Sequence, residues 1–86
     1  MGLSRWGTRR DGNEGEVMRA IAKVGALYII LDAFDLLVLF RGRTYMMEVK
    51  TRTGKLTDSQ KELLNRGWPL HVVRSPEEAL KVIGAL

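Results

Sequence analysis

Hydrophobic residues along this chain fall into two rhythms. Val17, Met18, Ile21, Val24 and Gly25 share one face of a helix, while Arg19, Ala20 and Lys23 fall away from it. The pattern predicts a helix starting near Asn13, with Asn13 or Asp11 as N-cap, and ending at Gly25. Three apolar runs follow, at residues 26–31, 34–40 and 44–51, and they predict three strands. Thr53-Gly54-Lys55 breaks the pattern, and Thr57-Asp58-Ser59-Gln60 has the form of a capping box opening a second helix through Leu63 and Leu64. Arg66-Gly67-Trp68-Pro69 closes that helix. A short strand over residues 70–73 and a last helix behind Ser75-Pro76-Glu77-Glu78 complete the chain, the second capping box having proline at the first helical position.

The predicted order is α-β-β-β-α-β-α. A helix between the third and fourth strands makes a crossover that pairs them in parallel. The expected fold class is therefore α/β, a mixed central sheet flanked by helices. Residues 1–12 show no periodicity and form a basic N-terminal arm, and residues 13–86 form one domain. A domain this small buries little more than ~60% of its unfolded surface and gains from oligomerising.

Three charges stand inside or beside the apolar strands: Asp35, Glu48 and Lys50. Ionised groups in apolar surroundings cost several kcal/mol each unless a partner or a metal compensates them. Glu48 and Lys50 are two residues apart and share a face of their strand. If Arg41-Gly42 is a two-residue hairpin loop, Phe40 pairs with Arg43 and Asp35 comes opposite Glu48. Two carboxylates converging with an ammonium make a candidate divalent-metal site with a cation beside it. Glu14 heads the apolar helix stripe and is a candidate third carboxylate, whereas Glu16 points elsewhere.

Composition narrows this chemistry. The chain has no cysteine and one histidine, which excludes thiolate and His-rich metal sites and leaves oxygen ligands, favouring Mg2+ or Mn2+. Its net charge is +4, and setting three carboxylates around a metal leaves the outer surface more cationic still. That excess favours a polyanion such as nucleic acid. The longest apolar run, at residues 26–40, contains Asp32 and Asp35 and is too short to span a bilayer. No signal-peptide pattern follows the basic N-terminus, so the expected location is cytoplasmic.

Each candidate has a plainer explanation. Glu48 and Lys50 could be a surface ion pair, Asp35 a turn residue with Asp32 as its rival, and Glu14 a favourable charge at a helix N-terminus. Gln60 is accounted for by its capping box, and His71 reads as a structural histidine in a short apolar strand. Trp6 with Arg5, Arg9 and Arg10 could form a nucleic-acid arm or a dimer contact, and Arg41, Arg43, Arg52 and Lys55 are candidate phosphate contacts.

Taken together, these residues resemble the PD-(D/E)XK nuclease superfamily, and within it the VRR-NUC type, the virus-type replication-repair nuclease domain. The resemblance covers about residues 13–83. It lies in Glu14, Phe34-Asp35-Leu36-Leu37-Val38, the Arg-Gly turn, Glu48-Val49-Lys50, Lys55-Leu56-Thr57-x-x-Gln60, and the ending from Leu70-His71-Val72-Val73 to Ala79. Archaeal-type Holliday-junction resolvases share the helix glutamate and the Glu-Val-Lys element. Phe34 departs from the pattern, standing where the superfamily often has proline. The resemblance implies a restriction-endonuclease-like αβββαβ core and a metal-dependent endonuclease acting on Holliday-junction, branched or flap DNA. It further implies a homodimer and a viral or phage origin. In that family pattern Asp35, Glu48 and the Val49 carbonyl hold one or two Mg2+ or Mn2+ ions, and Glu14 binds directly or through water. Lys50 orients a water or offsets charge, and Gln60 positions the nucleophile or a phosphate. The alternatives are a nicking nuclease without branch selectivity, a non-catalytic DNA-binding module on the same scaffold, and a small structural domain.

Overall fold

The computed structural model describes residues 13–86, and the basic arm with Arg9 and Arg10 lies outside them. The elements run α1 (Glu14–Lys23), β1 (Leu27–Ile30), β2 (Leu36–Phe40), β3 (Arg43–Val49), α2 (Asp58–Asn65), β4 (Leu70–Val73) and α3 (Pro76–Val82). They form a small α/β domain with a four-stranded mixed sheet in the order β1-β2-β3-β4. β1, β2 and β3 are antiparallel neighbours, and β3 and β4 run parallel across the α2 crossover, as the element order requires.

Alternation along β2 sets the layers. Leu36, Val38 and Phe40 are buried, while Leu37 is half-buried and Leu39 exposed. Met47 and Val49 on β3 and Val73 on β4 join the buried side, where Val17 and Ile21 of α1 and Ala79 of α3 pack with Ile83. The core is this single layer between the sheet and the α1–α3 pair. Outside that layer, on the first hairpin, Leu27, Ile29 and Leu39 keep 67%, 55% and 42% of their surface exposed among the described residues. No residue of α2 is buried.

The β2–β3 turn is as short as the register argument needs. Phe40 pairs with Arg43, and the two loop residues Arg41 and Gly42 both have positive φ, +52° and +80°. That is the primed two-residue hairpin geometry, whose twist matches the strands it joins. Glycine accepts this backbone without strain and arginine does not.

Several boundaries differ from expectation. β2 begins at Leu36, because the Leu31 N–H donates to the Asp35 carbonyl and closes a tight connection over residues 31–35. β3 ends at Val49, one residue before Lys50. Asn13 is the residue before α1, yet its side chain makes no cap hydrogen bond; its amide reaches out of the helix instead. Thr57 and Gln60 form a complete capping box. The second box is only half made: Ser75 Oγ accepts the Glu78 N–H, while the Glu78 carboxylate accepts the N–H of Arg74 rather than of Ser75. His71, the structural histidine of the short apolar strand, is exposed, its ring centroid 6.3 Å from that of Tyr45 and tilted by 57°.

The turn generates a stability test. Arg41→Asn places a residue that tolerates positive φ in the first loop position and raises stability by about 0.5–1 kcal/mol, whereas Gly42→Ala lowers it by roughly 1–2 kcal/mol. Urea unfolding of the two variants beside the parent measures both signs.

Candidate functional site

The site grows from the open end of the β2–β3 hairpin. Leu36 pairs with Met47, so the next step of the ladder sets Asp35 opposite Glu48. Asp35 Oδ2 accepts the backbone N–H of Val49 at 2.8 Å. The aspartate thereby closes the ladder where strand β2 has not yet begun. Glu48 alternates with Met47 and Val49 and so points to the other face of the sheet from the helix-packed core. Lys50, on the same side as Glu48, brings its Nζ to 3.4 Å from Glu48 Oε2. Asp35 rather than Asp32 joins this group; Asp32 is exposed in the β1–β2 connection.

Glu48 is only 3% exposed, and its Oε1 is buried with no hydrogen-bond partner. Burial disfavours its charged form and raises its pKa to about 7, helped by the Asp35 charge and opposed by the Lys50 ammonium. An ion pair at a solvated surface does not look like this. A carboxylate kept out of water beside a second carboxylate invites a cation, and the buried, unmatched Glu48 Oε1 suits a hard one.

Glu14 is 1% exposed and heads the buried stripe of α1 with Val17 and Ile21. Among the described residues no set of three or more His, Cys, Asp or Glu has metal-holding geometry, so Glu14 is not gathered with Asp35 and Glu48 into one such set. Gln60 Oε1 is engaged by the Thr57 N–H at 2.9 Å, completing its cap.

The predicted phosphate contacts separate into two groups. Arg52 and Lys55 are exposed on the loop that leaves Lys50. Arg41 and Arg43 stand at the closed end of the hairpin, about 17 Å along the strand from Asp35 at ~3.4 Å per residue, and so do not flank the site. There Arg41 lies over the Phe40 ring at 4.8 Å. Arg9 and Arg10 lie outside the described residues.

Two residues escape sequence reasoning. The Asn13 amide donates to the Lys50 carbonyl at 3.0 Å and to the Arg74 carbonyl at 2.7 Å, tying α1 to the exits of β3 and β4. Arg74 sets its Nη1 on the carbonyls of the loop after Lys50. Asn13 carried only a capping signal, and nothing local marked Arg74.

Compared with known proteins, the chain matches no family model, no curated protein and no solved structure. None of the helices among the described residues is long and apolar enough to cross a membrane.

The Glu48 environment predicts a pH signature. Between pH 4.5 and about 7 the native carboxyl keeps a proton that the unfolded chain has released, so this group's contribution to stability falls as pH rises. Glu48→Gln removes that loss and gains on the parent by on the order of 2 kcal/mol between pH 5 and pH 8. Denaturant unfolding at the two pH values checks it; parallel curves for parent and variant would contradict it.

Proposed function

We propose that this protein is a metal-dependent endonuclease hydrolysing DNA phosphodiesters, with branched or flap structures as substrate and the PD-(D/E)XK pattern as its chemical plan. The observation that carries the reading is the buried Glu48 carboxylate, set opposite Asp35 and 3.4 Å from the Lys50 ammonium. The cationic balance of the chain and the exposed Arg52 and Lys55 beside the site support a polyanionic substrate.

Asp35, Glu48 and the Val49 carbonyl are the groups that would hold Mg2+ or Mn2+. Such an ion, when bound, lowers the pKa of a coordinated water and offsets charge gathering on the phosphoryl oxygens. Asp35 is oriented by the Val49 N–H and so needs little rearrangement to serve as a ligand. Lys50 has a second role once Glu48 is engaged elsewhere: its ammonium is released to orient the attacking water or to meet the developing negative charge. Glu14 is buried at the head of α1 and fits an indirect part, through water, better than a place beside Asp35 and Glu48.

A homodimer belongs to the same proposal, as does a viral or phage origin. The row formed by Leu27, Ile29 and Leu39 is apolar surface that pairing with a second copy would cover, and two sites could then address two strands of a junction. The rival reading is a DNA-binding module without catalysis.

Cleavage of labelled junction, flap, duplex and single-stranded DNA with Mg2+, Mn2+ or EDTA separates these. Asp35→Ala, Glu48→Ala and Lys50→Ala are each expected to lower the cleavage rate at least ~100-fold, the scale of losing a group that stabilises transition-state charge, while binding in EDTA persists. Metal-independent cutting, or full activity in Glu48→Ala and Lys50→Ala, would falsify the mechanism. Binding without any cleavage by the parent would establish the binding module instead.

A further inference from the structure

Arg74 follows β4 directly and is half-buried. Its Nη1 donates to the carbonyls of Thr51 and Gly54 at 2.7 Å each and lies 3.4 Å from that of Arg52. Three carbonyls of one loop thus turn toward a single guanidinium. The main chain of Arg74 is itself fixed on both sides: its N–H donates to Glu78 Oε1 at 2.7 Å, and its carbonyl accepts the Asn13 amide at 2.7 Å. The loop also folds back on Lys50. The Gly54 N–H donates to the Thr51 carbonyl, and a Cβ at position 54 would sit 3.1 Å from Thr51 Oγ1 and 3.5 Å from Lys50 Cβ.

Setting a guanidinium nitrogen on neutral carbonyls occupies donors that could have met a carboxylate or a phosphate. What it secures is a loop shape. Arginine suits that task by reach, since all three contacts fall on Nη1 and a lysine ammonium, one bond shorter, ends short of that position. The held segment carries Arg52 and leads into Lys55, both exposed.

We propose that Arg74 is a positioning residue that fixes the 51–54 loop so that Arg52 and Lys55 grip adjacent phosphates of a nucleic-acid strand entering beside Lys50. Arg74 itself does not touch the nucleic acid. This inference rests on the nuclease reading for its ligand and adds to it the device that orders the ligand's grip.

Fluorescence anisotropy of a labelled DNA duplex in EDTA, over a range of KCl concentrations, tests it. Removing one cation from its phosphate lowers the slope of log affinity against log salt by about 1. Arg52→Ala and Lys55→Ala are each expected to show that decrease. Arg74→Lys conserves charge, so a guanidinium acting only through its charge leaves the slope unchanged on substitution. A positioning residue gives a fall of about 2, with no further decrease when Arg52→Ala and Lys55→Ala are added. Amide exchange at residues 51–55 should quicken in Arg74→Lys while the core strands keep their protection. Should Arg74→Lys fail to fold, Gly54→Val, which keeps every charge and crowds Thr51 Oγ1 in the same loop, supports the same comparison. A parent that cuts DNA in magnesium while the arginine variant keeps the parental slope, or loses affinity additively with the loop variants, overturns this inference and leaves the nuclease reading intact. A parent that neither binds nor cuts removes both.

Discussion

A carboxylate sealed from water next to another carboxylate is the constraint around which this small domain is arranged. Glu48 lies on a strand whose neighbours Met47 and Val49 are drawn into the core, so alternation alone sends it to the opposite face. Left there by itself it would be a simple liability. The hairpin brings Asp35 opposite, the strand exit brings Lys50, and the Val49 N–H holds Asp35 in place. The lysine offsets only part of the cost, since the Glu48 pKa remains pushed up to about 7. The native chain therefore holds a group that is not at rest in either protonation state near neutrality, and local stability is lowered there.

The framework around that group is conventional and was largely visible in the pattern of residues. The helix stripe of α1, the apolar runs and the crossover order fixed the element sequence and the parallel β3–β4 pair, because periodicity and chain connection leave few alternatives. The hairpin register followed from two loop residues, and with it the meeting of Asp35 and Glu48. Those are short-range facts, and short-range facts can be read from a line of text.

Other features were illegible for the opposite reason. Asn13 acts across 37 and 61 positions of chain, on Lys50 and Arg74, and a capping residue looks the same in sequence whether its side chain turns inward or away. Arg74 resembles any solvated cation until the loop at 51–54 folds beneath it. Glu78 satisfied the capping-box spacing and yet accepts the N–H one residue earlier. Arg41 and Arg43 sat close to Glu48 in sequence, but extended strands carried them to the far end of the hairpin. The helical stripe indicated burial for Glu14 without saying how near the other acids it would come, because the crossing of helix over sheet is set by packing of the whole core.

The crossover helix α2 has one more consequence. It runs eight residues, none of them buried, so its support comes from its own backbone ladder and the Thr57–Gln60 cap rather than from the core. Helices of that length standing alone are marginal in water. The chain thus has a firm edge at the pinned loop and a yielding stretch just past it. Apart from Gln60, which closes the cap, substitutions between Asp58 and Asn65 remove no buried side chain and fall on ground that can absorb them.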